Sequence, residues 1–164
     1  MDYIHVFEIM ASILFIAYLF WASLQDVREM KVARYTHLLA VLAIICTILS
    51  KVVCCMDSSV YENRLWLRNL WEILLSCSFH WIGCRLCFYG LADVFVMNLC
   101  DVFYFFQSGT YGCLFFCFAS YATSGILLLV VQLINGNLKG FHLKRKVPYI
   151  PYISIAFFLT KWVI

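Results

Sequence analysis

The sequence predicts an all-α, polytopic membrane protein, a bundle of about six transmembrane helices in one domain over residues 1–164. Three observations predict it. The apolar fraction is 65%, against roughly 45–50% in an ordinary globular domain. The charged fraction is 13%, against roughly 25%. The apolar residues fall in runs of the length a bilayer demands, roughly 20 residues per helix. A water-soluble fold of this size has too little interior to hide so much apolar surface. A soluble enzyme, a secreted disulfide scaffold and a disordered tail are therefore excluded, and a net charge of +3 is too small for a nucleic-acid binder.

The spans follow in order. Residues 4–24 form the first, with His5 and Glu8 near its start. It does not read as a cleaved signal peptide, because residues 1–5 carry Asp2 and no Lys or Arg, and the apolar run is too long. Residues 38–56 form the second, interrupted by Lys51 near its end. Residues 65–82 form a weaker third, with Arg68, Glu72 and His80 inside it and Trp66, Trp71 and Trp81 toward its ends, where interfacial aromatics collect. Residues 86–106 hold Asp93 and Asp101, and the helix of this fourth span is expected to start near Ala92. Residues 111–134 carry no charge. Residues 148–164 form the sixth, with Pro148 in the first turn, where a missing N–H costs nothing.

Six spans put the loops at 25–37, 83–91 and 135–147 on one side. Those loops hold Arg28, Lys31, Arg34, Arg85, Lys139, Lys144, Arg145 and Lys146, eight of the twelve basic residues. The positive-inside bias places them in the cytoplasm, with the N-terminus outside. The Lys144-Arg145-Lys146 cluster reads as a topology anchor, with attraction to anionic lipid as the alternative. Most of the nine cysteines lie in apolar runs and read as small membrane-buried hydrophobes; Cys54-Cys55, near a membrane end, is the exception. Cys84 and Cys87 form a lone Cys-x-x-Cys. With His80 near but no fourth ligand, it does not make a zinc site. His5, His37 and His142 are isolated and read as non-ligands.

Acids in or beside membrane spans are costly and point to function. The candidates are Glu8, Asp26, Glu72, Asp93 and Asp101. Asp26 follows the first span and Asp93 opens the fourth, so the span count puts both on one side at similar depth. Two close carboxyls do not both ionise readily, so one keeps a proton. Such a pair can activate a water as base and protonate a peptide group as acid. Ordinary interfacial acids in reach of water are the competing reading.

The residues around these acids carry a resemblance. They are Asp26-Val27-Arg28-Glu29-Met30-Lys31-Val32, Gly90-Leu91-Ala92-Asp93-Val94 and Val147-Pro148-Tyr149-Ile150-Pro151-Tyr152. In this order and at these span ends they resemble the aspartic prepilin peptidases, polytopic membrane proteases of the Gly-x-Gly-Asp type. The small size looks like the single-domain members that serve Tad/Flp-type pili. The resemblance implies that Asp26 and Asp93 are the catalytic pair. It further implies that the substrate is a prepilin-like precursor with a basic leader, cut at the cytoplasmic face of a bacterial inner membrane. No cofactor is implied. The zinc-binding insert of the larger members, which also methylate the new N-terminus, has no counterpart here.

Three positions depart from the family pattern. Ala92 stands for the second glycine, Phe95 for a frequent lysine, and Val32-Ala33 for Ile-Pro. Two alternatives stay open: a catalytically inactive pilus-assembly relative, and a small transporter or channel subunit with Asp93 and Asp101 on a polar path. The last two are eight residues apart, about 80° round an ideal helix.

Overall fold

The computed structural model describes residues 2–57, 70–86, 90–108, 113–134 and 148–163. Six α-helices account for nearly all of them: α1 Asp2–Glu29, α2 His37–Asp57, α3 Leu70–Arg85, α4 Leu91–Ser108, α5 Cys113–Ile134 and α6 Ile150–Val163, with a 3₁₀ turn at Arg34–Thr36 leading into α2. The described residues contain no strand. The loop at 135–147, with its Lys144-Arg145-Lys146 anchor, lies outside the described residues, as do Trp66, Arg68 and Cys87.

Among the described residues, three segments are long and apolar enough to cross a bilayer: His5–Glu29, Arg34–Val52 and Leu114–Ile134. The other three helices do not reach that standard. At 1.5 Å per residue, the described 16 residues of α3, which begin where that described segment begins, and the 14 of α6 measure roughly 24 and 21 Å, against a hydrocarbon core of roughly 30 Å. α4 has 18 residues but carries Asp93, Asn98, Asp101 and Gln107.

Burial is distributed as in a membrane protein. Ile9, Ile13, Ile16 and Phe20 on α1, Leu38, Val41, Leu42, Ile45 and Leu49 on α2, and Ile126, Leu129, Val130 and Leu133 on α5 face outward. Inside lie Asp26, Thr47, Ser50, Glu72, Ser76, His80, Asp101, Ser124, Ser154 and Thr160. An aqueous fold would carry a large penalty for that outer face, whereas lipid favours it. The three long apolar helices and this burial pattern mark the chain as an all-helical membrane protein.

The helices alternate in direction. Backbone N–H of Ile150 donates to the Asp26 carboxylate at 3.0 Å, so α6 starts where α1 ends. Trp81 and His37 both lie against Phe95, with ring centroids 6.3 and 5.8 Å away, so α3 ends there while α2 and α4 begin. At the far end Lys161 donates to Gln107 at 2.7 Å, and Gln107 to Ser12 at 3.3 Å, tying α6, α4 and α1. Between the ends an aromatic core is stacked: Phe15 on Phe103 at 3.9 Å and Tyr104 on Phe116 at 3.8 Å, with Phe157 against Phe15 and Phe116. Small residues let α1 and α6 approach, and Ser23 and Ser154 hydrogen-bond across the contact at 2.9 Å.

Two boundaries correct the sequence reading. α1 runs through Glu29, so Asp26 sits in its last turns rather than after the helix. α6 starts at Ile150, so Pro148 precedes it and Pro151 occupies the first turn. The cause is Tyr149, whose carbonyl accepts from Tyr152 and Ile153 at 3.0 and 3.2 Å and so fixes the helix start.

Candidate functional site

α1 ends at Met30, which adopts the left-handed conformation with φ of 53°. Its N–H closes the last turn on the Asp26 carbonyl at 2.9 Å. This is the usual way to stop a helix, at a position where glycine is preferred. Gln25, one residue before Asp26, then holds the returning chain. Its Oε1 accepts from the Ala33 N–H at 3.0 Å and the Thr36 hydroxyl at 2.9 Å. The turn into α2 is thereby fixed beside Asp26.

The Asp26 side chain is buried, with 6% of its surface exposed. Its carboxylate accepts the Ile150 N–H and also bonds the Tyr149 backbone. Those are free donors at the start of α6, the end of a helix that favours negative charge.

Asp93 lies in the first turn of α4, half-buried. Its carboxylate reaches back to the Gly90 N–H at 2.8 Å. An acid three places into a helix, bonded to the N–H of the residue before it, is half of a capping box. Gly90 takes no left-handed conformation; its use is closeness, since a Cβ there would stand 3.4 Å from the Asp93 carboxylate. Ala92 is partly buried against the core. Phe95 packs between Trp81 and His37, and His37 Nδ1 is 3.1 Å from the Tyr18 hydroxyl.

Asp26 and Asp93 come to the same end of the bundle, where α1 ends and α4 and α6 begin. Each also bonds backbone N–H groups at a helix start. The arrangement gives two carboxyl groups, held by main chain, at a mouth lined by the starts of α2, α4 and α6. Two carboxyls at one end of a bundle offer an acid and a base to a substrate that reaches both.

The remaining acids separate from this site. Glu8 pairs with His5 at 3.7 Å on the exposed side of α1. Glu72 is buried on α3. Asp101 is deep in the bundle, 2% exposed, with its carboxylate 2.6 Å from His80 Nε2. Ser76 also donates to it, and His80 Nδ1 bonds the Tyr121 hydroxyl. Cys117 lies 3.7 Å from His80 Nε2. Asp101 was expected to meet a neighbour inside the bundle, but the sequence did not single out His80, Tyr121 and Cys117 as its company. The signal was present: an acid two turns into an apolar helix needs a polar partner at its own depth, and His80 is a polar residue inside the apolar run of α3. Cys84 is a free, half-buried thiol one turn beyond His80 on α3.

Comparisons with protein-family models, with curated proteins and with solved structures return no match. The site therefore rests on its own residues and geometry.

Proposed function

We propose that the protein is an intramembrane aspartic endopeptidase that removes the basic leader of type IV prepilin-like precursors. The observation that carries this reading is that both carboxyls sit at one end of the bundle, each held by a backbone N–H at a helix start, together with the resemblance of the segments that hold them to the prepilin peptidases. In this reading all six helices cross or enter a bacterial cytoplasmic membrane, with the N-terminus outside and the two acids at the cytoplasmic face. One carboxylate takes a proton from the attacking water. The other, protonated, donates to the carbonyl oxygen; on collapse of the gem-diol the first passes its acquired proton to the leaving amine and the second takes back a hydroxyl proton. The precursor lies in the bilayer by its apolar helix and presents the leader junction to the mouth.

The test is co-expression with a precursor pilin, scoring leader removal by gel shift for the wild type, Asp26→Asn and Asp93→Asn. Asparagine keeps an acceptor oxygen for the Ile150 or Gly90 N–H, so the helix starts persist while the titratable group is lost. Cleavage by the wild type and by neither variant, at equal protein level, is expected. Cleavage by either variant at the wild-type rate removes that residue from the mechanism.

The buried Asp101–His80 pair favours a second reading, a small proton or solute transporter. Flux in liposomes that survives Asp26→Asn and disappears with Asp101→Asn distinguishes it.

A further inference from the structure

The peptidase reading makes no use of the polar network inside α3, α4 and α5, and that network has the composition of a metal centre. One nitrogen, one oxygen and one sulfur ligand converge there. His80 Nε2, an Asp101 carboxylate oxygen and Cys117 Sγ all lie within 4.8 Å of one another, and all three residues are buried. Each comes from a different helix: His80 from α3, Asp101 from α4 and Cys117 from α5.

The spacing suits a tetrahedral ion. Zinc–nitrogen and zinc–sulfur lengths of roughly 2.0 and 2.3 Å place two such ligands about 3.5 Å apart across a tetrahedral angle. Cys117 Sγ and His80 Nε2 are 3.7 Å apart. The Asp101 oxygen is nearer the imidazole, at 2.6 Å, so it must swing outward by somewhat under 1 Å to bind alongside, to judge by the same bond lengths. A carboxyl rotation supplies that movement.

The surroundings are those that metal ligands need. A ligating imidazole is oriented by a hydrogen bond at its other nitrogen, and a ligating carboxylate by a donor of its own. His80 Nδ1 has the Tyr121 hydroxyl, and Asp101 has the Ser76 hydroxyl. Tyr121 is in turn fixed against Met97 Sδ at 3.1 Å. A thiol, an imidazole and a carboxyl in one place select a borderline-soft divalent ion over calcium or magnesium, which take oxygen alone.

We propose that His80, Asp101 and Cys117 form a buried site for a thiophilic divalent metal ion of the zinc class. The ion joins α3 to α4 and α5, its fourth position left to a water in the small cavity beside His80 and Asp101. Binding exchanges the Cys117 thiol proton and the proton between Asp101 and His80 Nε2 for one dication. The other imidazole proton stays on Nδ1, directed to Tyr121. The exchange leaves the net charge of the pocket unchanged, as a low-dielectric interior requires.

The experiment uses the full chain purified in detergent from cells grown with added Zn²⁺ or, separately, Co²⁺. Metal content is read by mass spectrometry and cobalt–thiolate charge transfer by absorption. The expected result is about one ion per chain, with the thiolate band present in the cobalt form. Cys117→Ser should lose the band and His80→Ala the ion. Tyr121→Phe should weaken retention against a chelator by roughly tenfold or more. Cys46→Ser, remote from the cluster, should match the wild type. Helix content by circular dichroism separates loss of metal from loss of fold, and Cys117→Ser is conservative enough to keep it. A folded wild type carrying well under a stoichiometric amount of either metal, or a Cys117→Ser variant with an unchanged cobalt spectrum, overturns the proposal. Because neither Asp26 nor Asp93 is a ligand, the metal result and the leader-cleavage result stand or fall separately.

Discussion

Replacing His80 by leucine removes the imidazole that faces Asp101 at 2.6 Å in a part of the bundle where both side chains are almost fully buried. The carboxylate then keeps its desolvation and loses its strongest partner. Breaking a buried pair from one side costs about 3–5 kcal/mol. Asp101→Leu leaves the imidazole in the same position from the other side, at a similar cost. The double replacement puts two apolar side chains where a polar pair stood, and such exchanges are often close to neutral. If the two residues act as one unit, His80→Leu with Asp101→Leu is no less stable than either single variant. The coupling free energy is then at least one single cost, about 3 kcal/mol, at the top of the range for residues in direct contact. The assay is reversible unfolding of the metal-free protein in mixed micelles, followed by circular dichroism, for the four members of the cycle. Additive costs, within about 0.5 kcal/mol, would refute the pairing.

Gln25→Ala should release the turn into α2 by removing the acceptor of both the Ala33 N–H and the Thr36 hydroxyl; two such bonds are worth about 1–3 kcal/mol together, so amide exchange at Ala33 should quicken about tenfold or more while Gln25→Glu, which keeps the acceptor, stays near the wild type. Met30→Gly should stabilise the protein by about 1 kcal/mol, because a side chain in the left-handed region is strained and glycine is not; a melting temperature that falls instead would show that the Met30 side chain contributes more in packing than its backbone costs.

Much of the helical layout is legible in the sequence because apolar run length and the bilayer thickness constrain each other directly. α2 over His37–Asp57 and α5 over Cys113–Ile134 match their apolar runs within two residues. Boundaries set by local hydrogen bonds are less visible. Gln25 and Met30 carry α1 past Asp26, and the Tyr149 carbonyl starts α6 after Pro148; neither effect has a hydropathy signature. Span count is also incompletely legible, since α4 carries polar residues and α6 is short, and among the described residues three segments meet the length and apolarity of a free-standing span. For the candidate site, Asp26 and Asp93 stand out as charges at the edges of apolar runs, and parity of the spans alone brings them to one side. The partners that hold them are backbone N–H groups of Ile150 and Gly90, and every residue but proline offers such a donor, so sequence cannot point to these two. The same holds for the interior network. Asp101 is conspicuous, but Tyr121 and Cys117 are two among many tyrosines and cysteines until helix packing selects them.

Whether Asp26 and Asp93 act together is tested most directly by single-turnover cleavage of a precursor pilin in reconstituted liposomes, with the wild type, Asp26→Asn, Asp93→Asn and the double variant compared at equal incorporation. A shared site predicts that each single substitution removes roughly 10²–10⁴-fold of the rate and that the double variant is no slower than either, because groups acting as one unit do not lose their contributions twice. Wild-type cleavage that persists in either single variant, or losses that multiply in the double, would contradict a shared-proton pair of aspartates.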